Sequence, residues 1–385
     1  MTELYSLSGY GSMIADHVRI EAYTEALRRN VRHGSVVLDI GTGPGIFAVL
    51  ACRLGASRVY ALEPDNIIQV ARDLAAANGC ANRIEFIQDI SSRVTLPVRA
   101  DVMISDLRGV VPFFQRHIPS ITDARRRLLA PGGILIPRRD TVWVAVVEAP
   151  LNYGRVVDVW ERNLLDQNLR PARELAVNNI QKMRLKAEQL LTRPQLWATL
   201  DYATIADTDA RGELQWAVER AGIGHGIVVW FDAELADGVG FSCGIDTPDG
   251  IYGSLFFPWR QPISLLVGQI VRVNLDAKLM ENDYVWRWTT QVQPANGSGE
   301  APMHFDQSQL NGALLSLTTL HKGASGHVPQ LSDEGRLHRR ALELMDGKTS
   351  LEEIARLLSA EFPQRFARWQ QALSYAGTLS QEYSR

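Results

Sequence analysis

Only three cysteines occur in the 385 residues, and Cys52, Cys80 and Cys243 stand far apart. Their spacing fits neither a metal-ligand set nor a paired-disulfide framework, and Cys52 falls on the apolar side of a helical segment, where it reads as core. Long apolar runs are missing too. No stretch approaches the ~20 residues that a membrane span needs, and residues 1–6 lack the basic start and apolar run of a signal peptide. A cytoplasmic protein with no membrane partner is the expectation. One-sided charge is equally scarce: charged residues make up 22% of the chain and the net charge is −3. That argues against a polyanion-binding surface and against nucleic acid as a partner. The densest basic cluster, Arg125, Arg126 and Arg127, ends an apparent helix, where cations complement the last carbonyls. An apolar content of 46% excludes disorder, and the length suggests two or three domains.

What the chain does have is a strand–turn–helix signal at residues 36–47. Val36-Val37-Leu38-Asp39-Ile40 opens into Gly41-Thr42-Gly43-Pro44-Gly45, and residues 46–54 carry apolar side chains at helical spacing. Glycines let a ligand approach the backbone, and a helix N-terminus offers free N–H groups, so the pattern suits a nucleotide-like ligand. A tight turn needs glycine for steric reasons as well, so context decides. A second strand, residues 58–62, ends in Glu63 about 20 residues past the glycines, where a doubly wound sheet places an acid on ribose hydroxyls.

Three details favour S-adenosylmethionine over a dinucleotide. An acid, Asp39, precedes the first glycine, and the turn departs from the nicotinamide fingerprint Gly-x-Gly-x-x-Gly. Asp89 closes the next strand, residues 84–88, where it or its neighbour Ile90 could hold an adenine amino group. The fourth strand, residues 100–106, leads into a loop rather than a phosphate turn. The expectation is a class I methyltransferase domain with S-adenosyl-L-methionine as cofactor and S-adenosyl-L-homocysteine as product. Candidate cofactor residues are Met13, Arg19, Asp39, Gly41, Thr42, Gly43, Gly45, Ile46, Glu63, Pro64, Asp89, Ile90 and Ser105. Arg19 reads either as the cation for the methionine carboxylate or as a surface ion pair, and His17 as a base or a solvated helix residue.

The expected fold class is α/β: a Rossmann-like domain, then an antiparallel β-barrel, then a small helical module. Residues 1–34 read as a helical lid and 35–140 as alternating strands and helices of a parallel sheet. From residue 141 the segments 142–147, 196–200, 226–231, 265–267 and 285–288 are short, β-branched and aromatic, as in a barrel or sandwich running to about 322. A polar stretch at about 160–183 is long enough to project as an arm, and Gly297-Ser298-Gly299 reads as a hairpin or loop tip rather than a domain linker. After a linker-like segment, residues 331–385 read as three short helices, with Ser332 as one cap and Ser350 and Glu353 as a capping box.

A methyltransferase domain followed by a barrel with an arm resembles the protein arginine methyltransferase family over about residues 5–320. Met13-Ile14-Ala15-Asp16-His17-Val18-Arg19 is similar to the family's lid motif. Ser105-Asp106-Leu107-Arg108-Gly109 stands where the family has Ser-Glu-x-Met-Gly, and Phe257-Pro258-Trp259-Arg260-Gln261 where its barrel carries Thr-His-Trp. The resemblance implies that Arg19 binds the cofactor carboxylate, Glu63 the ribose, and that the arm makes a homodimer.

The departures concern the acceptor. The family grips a guanidinium with two glutamates; here the positions hold Asp106 and Gln115. Losing one charged acceptor costs about 1.5–3 kcal/mol, and one methylene less moves the remaining oxygens by ~1.5 Å, enough to slow an in-line transfer ~100-fold. The family's barrel histidine is Pro258, which cannot titrate, and a lid histidine is Tyr10. Candidate catalytic residues are Asp106, to orient the acceptor or take its proton, Gln115, to donate to a carbonyl or carboxylate, and Trp259, to wall the site or fill the barrel.

Three readings follow: a methyltransferase with another acceptor; an arginine methyltransferase in which Asp106 and Gln115 suffice, with Glu148 or Asp16 assisting; and a non-catalytic binding protein. The C-terminal pattern Leu344-Met345-Asp346-Gly347-Lys348-Thr349-Ser350-Leu351-Glu352-Glu353-Ile354-Ala355 resembles the winged-helix peptide-binding domains of the pyrroloquinoline-quinone chaperone type. That resemblance implies a leader-peptide partner and a ribosomal precursor peptide, or another specialised metabolite, as acceptor.

Overall fold

The computed structural model describes residues 6–161, 166–248, 250–294 and 301–384; the loop expected at Gly297-Ser298-Gly299 lies outside them. The chain separates into two compact units, Met1–Ala313 and Leu314–Arg385.

The first unit opens with helices α1 (Leu7–Ala15) and α2 (His17–Asn30), divided at Asp16. Asp16 caps α2 by accepting from the Arg19 N–H at 3.2 Å, and its other oxygen accepts from the Ile251 N–H at 2.9 Å. Five strands follow: β1 (Val36–Ile40), β2 (Arg58–Leu62), β3 (Ile84–Ile87), β4 (Ala100–Ser105) and β5 (Leu129–Ile136). They form one sheet in the order β3-β2-β1-β4-β5, parallel throughout. Helices α3 (Ile46–Arg53), α4 (Ile68–Ala77) and α5 (His117–Arg127) connect them. The strand order reverses between β1 and β4, and a parallel sheet of this kind opens a crevice there, beyond the strands' carboxyl ends.

Register sharpens this. Leu62 and Ser105 both pair with Ile40, so the residues that follow, Glu63 and Asp106, emerge on either side of Gly41. The turn itself packs tightly because Gly45, at φ +84°, would place a Cβ 2.8 Å from the Cβ of Ala71 on α4.

The rest of the unit is antiparallel. It comprises β6 (Arg139–Val147), α6 (Pro150–Val156), α7 (Arg170–Ala176), β7 (Gln181–Met183), β8 (Gln195–Asp201), β9 (Ala210–Ala217), β10 (Gly222–Ala236), β11 (Val239–Ser242), β12 (Ser254–Leu265), β13 (Ile270–Met280), β14 (Asp283–Val292) and β15 (Met303–Ser308). One sheet runs β7-β12-β10-β6-β8, with β11 on β10, and the other β15-β14-β13-β9. Central β10 is buried almost throughout, whereas β14 alternates buried and exposed residues, as a strand with one wet face does. Pro258, which cannot donate to a ladder, sits opposite Gly226 at a register shift.

Two expectations need correction. Only Leu265 of residues 265–267 is in a strand; Leu266 and Val267 form an exposed turn. The later part of the expected arm does not project: β7 pairs with β12, and Arg173 of α7 donates to the Arg260 carbonyl at 2.6 Å.

The second unit contains α8 (Leu317–Gly323), α9 (Asp333–Glu343), α10 (Leu351–Glu361) and α11 (Trp369–Tyr383). Ser332 caps α9, and Ser350 with Glu353 forms the capping box of α10. Leu337, Ile354, Leu358, Phe366 and Leu379 build its core. No strand occurs among its described residues, so the wing of a winged-helix domain is not present there.

Candidate cofactor and acceptor site

A cavity of about 340 Å³ lies at the crevice beyond β1 and β4, in the size range of a small-molecule site. The lid supplies Tyr10, Met13, Ile14, Arg19 and Ile20; the turn supplies Gly41, Thr42, Gly43, Pro44, Ile46 and Phe47. Asp39, Glu63, Pro64 and Asp65 form one wall, and Asp106, Leu107, Arg108, Gln115, Ile251 and Tyr252 the other. Gly43, at φ +52°, meets the lid directly, since a Cβ there would lie 2.7 Å from the Tyr10 ring.

The turn's hydrogen bonds are largely internal. Gly41 and Thr42 donate their N–H groups to the Leu62 carbonyl, Gly43 to Glu63 Oε2 at 3.0 Å, and Gly45 to the Thr42 carbonyl. Pro44 has no N–H. The amides of residues 41–43 and 45 are thus taken up within the protein, and only the helix start at Ile46 and Phe47, which lines the cavity, is left to offer N–H groups to a ligand. Glu63 is an acceptor suited to hydroxyls; its Oε1 takes the Asp65 N–H at 3.1 Å, and burial pushes its carboxyl up. Asp39 accepts from the Thr42 hydroxyl at 2.6 Å and is pushed up to about 7 by burial. Hydroxyl acceptors, a thin glycine floor and an apolar lid fit an adenosyl thioether, so the residues present suit S-adenosylmethionine.

The acceptor side is a buried ionic network. Arg19 Nε donates to Asp106 Oδ2 at 2.5 Å. Arg108 donates from Nε and Nη2 to Asp106 Oδ1 at 3.1 and 3.0 Å, and from Nη1 to Asp140 Oδ1 at 2.9 Å. The Tyr252 hydroxyl also donates to Asp106 Oδ1, and Arg108 Nη2 to the Tyr23 hydroxyl. Beyond Asp140, the Tyr202 hydroxyl donates to its Oδ2 at 2.6 Å and meets His117 Nε2 at 2.8 Å. Burial works against ionising Asp106, but Arg19 and Arg108 outweigh it and hold the carboxyl below the usual carboxylate range. Such a group is a poor general base at neutral pH.

The cavity brings together Met13, Arg19, Asp39, Gly41, Thr42, Gly43, Ile46, Glu63, Pro64, Asp106 and Gln115 from the sequence candidates. Asp89 and Ile90 line an adjoining cavity that shares Gly41, Pro64, Leu107 and Gln115 with it. Gly45 acts one step back, at the start of α3, and Ser105 is buried beneath the site, its carbonyl taken by the Tyr23 hydroxyl. Trp259 does not wall the site. It is fully buried in the barrel, tilted against Phe305. Asp106, expected to face the acceptor, is instead occupied by the protein's own arginines. Glu148 pairs with Arg220, Asp16 caps α2, and neither lines the cavity.

Gln115 reaches the site because Phe113 plugs into the barrel, its ring 5.2–5.7 Å from those of Trp197, Tyr284 and Trp286. The Gln115 N–H then donates to Asp283 Oδ1 at 2.9 Å, with φ at +42°. Sequence reasoning missed Arg108, Asp140, Tyr23 and Tyr252. Arg108 carried a signal, standing where the resembled motif has methionine; the other three lie in separate segments.

Fold and cleft together resemble those of the class I, S-adenosylmethionine-dependent methyltransferases. Comparison with known proteins narrows the likeness. The family described as ribosomal protein L11 methyltransferase matches residues 16–149. A probable protein arginine N-methyltransferase 6 of Arabidopsis thaliana is 29% identical over 235 residues, covering 58% of this chain and 53% of its own length. Protein arginine N-methyltransferase PRMT10 of Oryza sativa subsp. japonica is 39% identical over 159 residues, 41% of this chain and 42% of its own. The chain thus spans about half the length of these curated relatives. Among solved structures, the Trypanosoma brucei PRMT1 enzyme-prozyme heterotetrameric complex with AdoHcy superposes with a TM-score of 0.72 at 19% identity, covering 80% of this chain and 99% of that one. Protein arginine methyltransferase 10 of Arabidopsis thaliana gives 0.69 at 20% identity, over 79% and 98%. At that identity the likeness is one of fold: a parallel sheet joined to an antiparallel barrel.

Proposed function

We propose that the protein is an S-adenosylmethionine-dependent methyltransferase built on a protein arginine methyltransferase-like scaffold, acting on an acceptor other than an arginine gripped between two carboxylates. A ribosomally made precursor peptide or a specialised metabolite is the acceptor this reading favours. The observation that carries it is the saturation of Asp106 by Arg19, Arg108 and Tyr252, beside a cofactor cleft whose acids and glycines are in place.

When bound, S-adenosylmethionine supplies a sulfonium methyl that passes in line to a nucleophile. Glu63 and Asp39 would hold its sugar and Arg19 its carboxylate, with Tyr10 and Met13 closing the lid. The Arg19 Nη2 has no hydrogen bond among the described residues. Gln115, with both an amide donor and a carbonyl acceptor, would orient the acceptor. With Asp106 held ionised by two cations, the acceptor nitrogen or oxygen gives up its proton to solvent, or has none to lose. The names of the relatives favour a second reading, arginine methylation with a divergent acid pair.

Calorimetry with S-adenosylhomocysteine tests the cofactor site, and absence of binding would overturn both enzyme readings. Mass spectrometry of arginine-rich peptides incubated with labelled cofactor tests the acceptor. No arginine product is expected, and robust arginine methylation would replace the first reading by the second.

A further inference from the structure

Resting on the reading of this cleft as a methyl-transfer site, we propose that Arg108 is a resident guanidinium that sets acceptor specificity: it fills the cation cage beside the acceptor face, so the site takes an uncharged acceptor and excludes a cationic one.

The surroundings of Arg108 are those of a guanidinium-binding site. Its guanidinium carbon lies 5.2 Å from the ring centre of Phe231, 5.6 Å from Phe241, 5.7 Å from Tyr252 and 5.9 Å from Tyr23. Aromatic faces at such distances attract a cation, more strongly once it is desolvated. Asp106 and Asp140 supply the carboxylates, at 3.0 and 2.9 Å, and the side chain is 0% exposed. A planar fork of donors matched by two acids and four rings is what would be built to hold a foreign guanidinium. The chain fills it with its own.

Charge then decides what can sit alongside. Arg19 and Arg108 balance Asp106 and Asp140, so the network carries two cations and two carboxylates. Asp106 Oδ1 already accepts from Arg108 and Tyr252, and Oδ2 from Arg19. A carboxylate has about four lone-pair positions, which leaves no bidentate face for another fork. A cationic acceptor would be desolvated beside Arg19 and Arg108 without a carboxylate of its own, a costly arrangement. Gln115, the neutral member of the acceptor wall, has no side-chain hydrogen bond among the described residues.

The test uses the full chain. First, the wild type saturated with S-adenosylhomocysteine is titrated with agmatine, a small guanidinium, by calorimetry. No binding at millimolar concentration is expected. Second, the melting temperatures of wild type and Arg108→Ala are compared in millimolar guanidinium, ammonium and sodium chlorides. Guanidinium should raise the variant's midpoint, refilling the vacated cage, while ammonium and sodium leave it unchanged and the wild type responds to none. The proposal is overturned if wild type binds agmatine at millimolar concentration, or if folded Arg108→Ala gains nothing specific from guanidinium. Should the variant not accumulate folded, the wild-type titration decides alone. Failure to bind S-adenosylhomocysteine would instead sink the methyltransferase reading, and the melting comparison would still judge Arg108.

Discussion

The carboxyl of Asp39 stands one residue before the end of buried strand β1, and its ionisation is governed by the loss of water around it. Burial pushes it up to about 7, the Thr42 hydroxyl pulls the other way, and Glu63 adds a smaller upward push. A group whose folded value is raised holds its proton more tightly in the folded state. Its stabilising contribution is complete below the ordinary value of 3.8 and is lost as pH climbs to about 7. His117 has the opposite sign: burial, helped by the Arg108 charge, lowers it to about 3, so protonation favours the unfolded chain as pH falls below 6.5. The two oppose each other between their limits, and the wild-type profile alone would hide both. Asp39→Asn separates them, because the amide can still accept from Thr42 without ionising. In urea titrations, the variant's stability relative to wild type should increase between pH 5 and pH 8 by on the order of 2 kcal/mol, one pK unit being about 1.4 kcal/mol. An identical difference at both pH values would show that Asp39 does not titrate in this window.

At the scale of elements, the glycine turn links the sheet to helices α1 and α4. Gly43 is left-handed at φ +52° and has the Tyr10 ring of α1 where a Cβ would sit, whereas Gly238, at φ +68°, has nothing within 4 Å. Gly43→Ala and Gly238→Ala therefore carry similar backbone strain, about 1–2 kcal/mol, and only the first displaces the lid. Calorimetry should show S-adenosylhomocysteine affinity lowered about tenfold or more in Gly43→Ala, a loss of about 1.4 kcal/mol, and unchanged in Gly238→Ala. Equal losses would mean that strain, not the lid contact, matters. This turn was legible in the sequence because strand, glycines and helix are contiguous, and the acids Asp39 and Glu63 fall at strand ends that the repeat of the sheet fixes. The capping box of α10 was legible for the same reason, since Ser350 and Glu353 are three residues apart. The acceptor side was not. Arg108 meets Asp140 across 32 residues and Tyr23 across 85, and Tyr252 meets Asp106 across 146. Local patterning carries no information at such separations. Trp259 shows the converse, a motif position whose neighbourhood in the chain suggested a role that burial in the barrel denies it.

At the scale of the whole molecule, every residue lining the cleft belongs to Met1–Ala313, while Leu314–Arg385 has its own caps and its own core. The proposed cofactor binding and the proposed recruitment of an acceptor peptide can then be tested separately, one on each unit. A chain ending at Ala313 should bind S-adenosylhomocysteine within about twofold of the full chain, a difference of about 0.4 kcal/mol. If the helical unit recruits a peptide, as the pattern of residues 344–355 suggests, the truncated protein should show a raised KM for the peptide with kcat unchanged. That is the signature of lost uniform binding rather than lost transition-state stabilisation. Each readout reports on one unit alone. An unchanged KM would remove the recruitment role from the helical unit and leave the cleft alone to choose its acceptor. A fall in kcat together with intact cofactor binding would mean that the unit contributes to the transition state, and the division of labour would have to be redrawn around the acceptor wall of Asp106, Gln115 and Tyr252.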